Sequence, residues 1–312
     1  MRAFLLGPTA AGKTAAAVAL ARRTRAEILS MDSMLVYRGL DIGTAKPGPE
    51  ERGGVRHHLI DLVGPDEEFS VSRWLAAARA AEAEVRRRGA PVLYVGGTGL
   101  YFKAAVAGLF DGPSVPAELR RRVEAELAAG GREALRRELA AGDPVLHARL
   151  HPHDDKRLLR GIEVLRHTGR PLSSWQRQWR RRSRIGEPAV ALVRPRAEVH
   201  RRIEERFDAM LAAGLLEEVD RIRRGPGFSR SARMALGYRQ LLDHLEGRCS
   251  LEEARRRAIA LTRRLVRRQT TWLRSFPDLV WVEAGPAESA EDLARRLAAA
   301  LRPWPGSGGN GE

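Results

Sequence analysis

Gly7-Pro8-Thr9-Ala10-Ala11-Gly12-Lys13-Thr14 reads G-x-x-x-x-G-K-T, the pattern of a phosphate-binding P-loop. The stretch before it, Arg2-Ala3-Phe4-Leu5-Leu6, is short and apolar and predicts a buried strand. The stretch after it, Thr14 to Arg22, is Ala-rich and favours helix. A strand, a glycine loop and a helix in that order bring several N–H groups into one hollow. The helix N-terminus adds partial positive charge there. Lys13 is placed to reach a distal phosphate, and the Thr14 hydroxyl to ligate Mg²⁺.

Working outward, strand and helix signals alternate. Ala26–Met31 predicts a second strand ending at Asp32-Ser33, and His57–Leu62 a third. A helix is expected from Ser72 to Arg88, with Ser70 or Ser72 as its N-cap. Pro91–Val95 is the clearest strand and closes on Gly96-Gly97-Thr98-Gly99-Leu100-Tyr101. Such alternation implies a P-loop NTPase-like α/β fold, a parallel sheet flanked by helices. Sites in such sheets lie at the carboxyl ends of the strands. Gly7, Asp32 and Gly96 should therefore converge.

The pattern changes from Pro116 onward. Helices are expected at 118–129, 132–141 and 155–168, with no convincing strand, so 116–188 reads as an α-helical insertion domain. Ala189–Val193 should rejoin the sheet. A long helix is expected over 198–224 and another over 251–273. The core is then 1–115 with 189–303, and 304–312 reads as a disordered tail by composition.

The chain has 312 residues, 55 Lys+Arg against 39 Asp+Glu, and a formal charge of +16. Nearly all the basic residues are arginine, which favours phosphate and nucleic-acid contacts. The balance points to a polyanionic partner. Cys249 is the single cysteine, so no internal disulfide can form and a reducing compartment is expected. No run of 18 apolar residues occurs, so no membrane span is expected. A cytoplasmic protein is the expectation.

The strand at Pro91–Val95 ends without the acid that ATP-hydrolysing P-loop enzymes place there. Asp32 instead closes the second strand. It is suited to hold Mg²⁺ through water, to act as general base on an acceptor, or simply to cap a helix. Thr98 can be a turn residue, or its hydroxyl can bond the group that Asp32 deprotonates. His147, His151, His153 and Asp154 lack standard zinc spacing. Trp175 and Trp179, at helical spacing, read as packing residues.

Gly7–Thr14, Asp32-Ser33, Val36–Pro47 and Gly96–Tyr101 together resemble the tRNA dimethylallyltransferases. Asp143-Pro144, His151–Arg157, Glu163-Val164, Thr168–Ser173, Gly237-Tyr238-Arg239 and Arg268–Arg274 continue the resemblance in order, over residues 1 to about 280. The resemblance implies transfer of a dimethylallyl group from its diphosphate to N6 of the adenosine immediately 3′ of the anticodon. Catalysis falls to Asp32, Thr98 and Lys13. The diphosphate falls to Gly7, Pro8, Thr9, Ala10, Ala11, Gly12, Lys13, Thr14 and an arginine clamp, Arg206. Mg²⁺ falls to Thr14.

The anticodon stem-loop is expected to meet Asp32, Ser33, Met34, Leu35, Thr98 and Arg120, and also Lys156, Arg157, Leu158, Leu159 and Arg160. Arg233, Gly237, Tyr238, Arg239, Arg267, Arg268, Gln269, Thr271, Trp272 and Arg274 complete the expected interface. The Arg-rich stretches beside Tyr238 and Trp272 suit phosphate contact plus base stacking, and the acceptor base should flip out of its stack. Arg206 has an alternative reading, as an exposed helix residue paired with Glu205 or Glu218.

Leu35 stands where the family commonly has Gln, and Arg267 where Lys is usual. No zinc finger follows the last motif, which matches the bacterial form. A monomer is expected, because one tRNA per basic cleft suffices. Two alternatives stay open: an adenylate isopentenyltransferase acting on free AMP, ADP or ATP, and an ATP-dependent RNA-associated kinase or ATPase.

Overall fold

The computed structural model describes residues 1–109, 112–176 and 185–304. Its six strands are β1 (Arg2–Leu6), β2 (Glu27–Ser30), β3 (His57–His58), β4 (Val92–Gly96), β5 (Ala189–Val193) and β6 (Val280–Glu283). The helices of the first part are α1 (Lys13–Thr24), α2 (Pro49–Arg52), α3 (Val71–Arg87) and α4 (Gly99–Ala107). Then come α5 (Ala117–Ala128), α6 (Arg132–Gly142), α7 (Pro144–His147), α8 (Asp155–Thr168) and α9 (Leu172–Trp175). The last are α10 (Arg196–Ala212), α11 (Leu215–Arg224), α12 (Tyr238–Leu245), α13 (Leu251–Leu273) and α14 (Ala290–Ala300). The chain divides into two compact units, Met1–Val106 with Arg182–Glu312, and Ala107–Arg181.

The first unit is a single sheet in the order β3-β2-β4-β1-β5-β6, and every neighbouring pair is parallel. Side chains alternate between faces of a strand. Accordingly Ala3 and Leu5 join Ile28, Leu93, Val190 and Leu192 in a core closed by α1 and by Leu293 and Leu297 of α14. Phe4 faces the other way, stacked on Tyr94 at 5.2 Å and edge-on to Phe102 at 5.1 Å. The register sets Leu6 opposite both Gly96 and Ala191, and Ser30 opposite Val95. The chain therefore leaves β1, β2, β4 and β5 at one level, and the P-loop, Asp32 and Gly97 emerge side by side.

The second unit, α5 to α9, is all helical and has its own core of Val123, Leu135, Leu139, Leu158, Leu159, Ile162 and Val164. Some helices, α3, α7 and α8 among them, have side-chain N-caps: Ser70 accepts from Arg73 N, Asp143 from Leu146 N and Asp154 from Arg157 N.

Four expectations need correction. The helix over 198–224 is two helices, because Gly214 turns into the left-handed region (φ 95°) between α10 and α11. The strand over 57–62 stops at His58, since Leu59 and Asp61 take left-handed conformations (φ 66° and 58°) that cannot continue a ladder. Residues 280–300, given no element by the sequence, form β6 and α14. The disordered tail expected over 304–312 fails at its first residue, since Trp304 is buried in the core beside Leu297 and Leu301; residues 305–312, like Trp179, lie outside the described residues.

Candidate active site

Gly7 and Gly12 are where the loop needs glycine. A Cβ on Gly7 (φ 151°) would lie 2.3 Å from the Leu192 carbonyl oxygen, and Gly12 (φ 91°) caps α1 in the left-handed region. Ala10 is left-handed too (φ 63°), a conformation that costs an L-residue energy. Two arginines hold it there. Arg202 Nε donates to Ala10 O at 3.1 Å and Arg194 Nε to Ala11 O at 3.0 Å. Both are gathered by Glu198, at 2.7 Å from Arg194 and 3.6 Å from Arg202. Two loop amides are engaged within the protein as well, Ala11 N on Pro8 O at 3.4 Å and Thr9 N on Gln269 Oε1 at 3.0 Å.

Lys13 Nζ bends back over the loop and donates to Pro8 O at 2.7 Å. Burial pushes its pKa down to about 8; Arg206 lowers it further, and Asp32 opposes the shift. The Arg206 guanidinium is likewise lowered by burial, with Asp32 and Glu51 opposing and Arg202 adding to the fall. Lys13, Asp32 and Arg206 therefore share one electrostatic neighbourhood, though α1, the end of β2 and α10 supply them separately. The alternative partners of Arg206 are engaged elsewhere. Glu205 pairs with Arg201 at 2.8 Å. Glu218 is buried and accepts the amides of Asp41, Ile42 and Gly43.

Asp32 sits in an Asx turn, with Oδ1 accepting from Met34 N at 2.8 Å. Ser33 N donates to Thr98 Oγ1 at 3.3 Å, and Thr98 N donates to Met31 O at 3.3 Å. Thr98 and Asp32 thus belong to one pair of crossed strand-end loops. Thr14 is exposed at the mouth of the loop.

The loop after Asp32 is pinned from below. Lys46 Nζ, nearly buried, donates to Tyr37 O (2.7 Å), Asp41 (2.6 Å) and Asp61 (2.5 Å). Asp61 is accordingly an anchor for this loop.

Helix α13 brings Arg264, Arg267, Arg268, Thr271 and Trp272 around a cleft of about 430 Å³. Arg267, Arg268, Thr271 and Arg274 are exposed, as are Arg233, Arg239, Arg120, Lys156 and Arg157. Arg233 pairs with Glu246 at 3.0 Å, and Arg160 is half-buried with Nη2 on Pro113 O.

Some expected RNA contacts do not fit their side chains. Tyr238 is fully buried and cannot stack on a base; its hydroxyl donates to Glu218 at 2.5 Å and accepts from Gly43 N at 3.2 Å. Leu158 and Leu159 are buried in the helical core. Gly237 is buried, with its amide on Gln240 Oε1. Gln269 turns inward, Oε1 accepting from Thr9 N and Nε2 donating to Gly97 O, both at 3.0 Å. Trp175 packs against the helical core under Arg170, 5.0 Å away, as its spacing predicted.

Sequence reading missed Arg194, Glu198 and Arg202. Two signals were available: Arg194 follows β5 as Asp32 follows β2, and Arg202 stands one helical turn before Arg206. Among the described residues no group of three or more His, Cys, Asp or Glu side chains is arranged to hold a metal.

Two family profiles match the chain, one described as IPP transferase over residues 35–276 and one as isopentenyl transferase over residues 1–63. A tRNA dimethylallyltransferase of Thiobacillus denitrificans is 46% identical over 95% of this chain and 94% of its own length. One from Alkalilimnicola ehrlichii is 49% identical over 94% and 93%. Among solved structures, the full-length tRNA isopentenylpyrophosphate transferase of Bacillus halodurans superimposes with a TM-score of 0.69. It is 34% identical over 96% of each chain.

Proposed function

The chain belongs to the IPP transferase family, and from that premise we propose that it transfers a dimethylallyl group from dimethylallyl diphosphate to N6 of a tRNA adenosine, the one 3′-adjacent to the anticodon. The observation that carries this reading is the level at which the strands end: β1, β2 and β4 finish together, so the P-loop with Lys13 emerges beside Asp32, whose neighbour Ser33 is bonded to Thr98. Lys13 and Arg206 both interact electrostatically with the Asp32 carboxylate beside that loop. That is an arrangement for a diphosphate leaving group next to a base.

In the reaction the carbon–oxygen bond to diphosphate breaks as the carbon–nitrogen bond forms. The proton leaves N6 for the Asp32 carboxylate. The P-loop amides, Lys13 and Arg206 take up the charge that develops on the diphosphate. Thr98, whose oxygen accepts from Ser33 N, keeps its hydroxyl proton free to orient the acceptor. No hydrolytic water needs positioning, in keeping with the missing acid after β4.

An exposed hydroxyl at Thr14, with diphosphate oxygens and water, is a donor set that suits Mg²⁺. Bound there with the diphosphate, Mg²⁺ would supply further charge neutralisation. The exposed arginines of α13, with Arg233 and Arg239, are proposed as RNA-backbone contacts, and so are Arg120, Lys156, Arg157 and Arg160 on the helical unit. The Trp272 face in the cleft of α13 is proposed to stack on a base. A cytoplasmic monomer is proposed. No helix among the described residues is long and apolar enough to cross a membrane.

The test is transfer of labelled dimethylallyl diphosphate, with Mg²⁺, to unmodified tRNA and to AMP, beside an ATPase assay. Label in tRNA alone is expected. Label in AMP would move the acceptor to a free nucleotide, and ATP hydrolysis without transfer would overturn the donor. The family and its tRNA-named relatives favour the tRNA acceptor over both.

A further inference from the structure

Gln269 lies on α13 between the exposed Arg267-Arg268 pair and Thr271, yet its side chain points to the sheet. Its amide oxygen accepts from Thr9 N in the P-loop, and its amide nitrogen donates to Gly97 O at the end of β4. The orientation is set by the partners, since a backbone N–H only donates and a carbonyl only accepts. No other side chain of this length does both: glutamate cannot donate, lysine and arginine cannot accept, methionine does neither.

Two glycines record how closely these parts approach. A Cβ on Gly97 would lie 2.5 Å from Gln269 Nε2 and 2.7 Å from Gly7 O, and one on Gly99 would lie 2.5 Å from the Trp272 ring. The bonds continue from Gly97 to its neighbour Thr98, whose hydroxyl accepts from Ser33 N beside Asp32. A line of adjacent contacts thus runs from the phosphate loop through Gln269 to the base.

We infer that Gln269 is a positioning residue that fixes the spacing between the donor loop and the Asp32–Thr98 acceptor loops, and ties that spacing to the exposed arginine face of α13. The inference rests on the function proposed above, with donor at the P-loop and acceptor at Asp32. Gln269 touches neither reacting group; it sets where both are held. A shift of these loops by a fraction of a bond length lowers the chemical step steeply, without a matching loss of RNA affinity.

The test compares wild type, Gln269→Met and Gln269→Glu. Methionine keeps the volume and loses both bonds; glutamate keeps the acceptor for Thr9 N and loses the bond to Gly97. Transfer to a stem-loop RNA gives kcat and the RNA KM, and titration with inorganic diphosphate and Mg²⁺ reports the P-loop. For Gln269→Met a fall in kcat of at least about tenfold is expected. The RNA KM should stay within about threefold, and diphosphate binding should weaken at least about fivefold. Gln269→Glu should lower kcat as well, because the Gly97 bond is lost.

Wild-type kcat and diphosphate affinity in Gln269→Met would overturn the inference. So would an effect confined to the RNA KM, which would make Gln269 an RNA contact, or a loss of melting temperature alone, which would make it packing. If wild type itself transfers nothing to RNA, the proposed function fails, and the diphosphate titration still decides: weaker binding in Gln269→Met upholds the tie to the P-loop, and equal binding removes it.

Discussion

The Tyr238 hydroxyl donates to the Glu218 carboxylate at 2.5 Å in a fully buried setting, and the same oxygen accepts from Gly43 N. A Cβ on Gly43 would meet the Tyr238 ring at 2.4 Å. The pair therefore anchors the loop that follows Asp32. Burial first, then the Glu218 charge, hold the phenol far above its usual pKa, so it remains a donor. Tyr238→Phe should destabilise the protein by about 1–3 kcal/mol, because buried polar groups lose their partner. Urea unfolding measures the loss, and RNA affinity of the folded variant should stay within about twofold. A tyrosine that stacked on a base would tolerate Phe without loss of stability.

Asp32→Asn keeps an oxygen for the Met34 amide and removes the base. Transfer should fall by about 10²- to 10⁴-fold, while diphosphate and RNA binding persist. Single-turnover kinetics beside binding titrations separate the two. Equal loss of binding and turnover would make Asp32 a structural or binding residue.

The ordinary lysine pKa is 10.5, and that of Lys13 is lowered to about 8. A neutral lysine cannot hold diphosphate by charge. Affinity of the free protein for inorganic diphosphate should therefore fall above about pH 8, approaching tenfold per unit, and Lys13→Arg should flatten the profile to pH 9.5. For folding the sign is opposite: the depressed pKa is a penalty on the folded state below pH 8, relieved as pH rises from 8 towards 10.5.

The Trp272 ring fills the space a Cβ on Gly99 would need. Gly99→Ala should cost about 1–3 kcal/mol through overpacking and raise the RNA KM by displacing Trp272. Diphosphate affinity should be unchanged. A raised KM without any loss of stability would mean that the ring does not pack on Gly99 in solution.

Arg274 is exposed at the end of α13. Arg274→Ala should weaken tRNA binding and reduce the slope of log affinity against log salt by about 0.7–0.9, one phosphate contact. Fluorescence titrations at several salt concentrations measure it. An unchanged slope removes Arg274 from the interface.

The P-loop was legible because it is local: eight consecutive residues, with strand before and helix after, carry their own geometry. The alternation of elements was enough for a parallel sheet, and Asp32 stood out because it closes a strand. Gly214 was harder. Leu211, Ala212 and Ala213 before it and Leu215 and Leu216 after it kept the helical pattern running, and one residue's φ ended it. Residues 280–300 were missed because Val280 and Trp281 form an exposed edge strand, without the apolar run of a buried one. Tyr238 misled because an aromatic beside an arginine reads like an RNA surface until its burial is known.

The sequence by itself determined the fold class, the phosphate loop, the strand-end acid and the family, because each depends on residue type at short spacing. Only the tertiary structure decided which distant groups serve that loop. Arg194 and Arg202 reach it from 183 and 192 residues away, Gln269 from 260, and Glu218 reaches the loop after Asp32 from 175–177. These contacts are hydrogen bonds between surfaces that meet only after the sheet has packed. Spacing along the chain places Arg194 after a strand and Arg202 one turn before Arg206 but does not record what they bond, and the same glutamine on an open helix face would read identically.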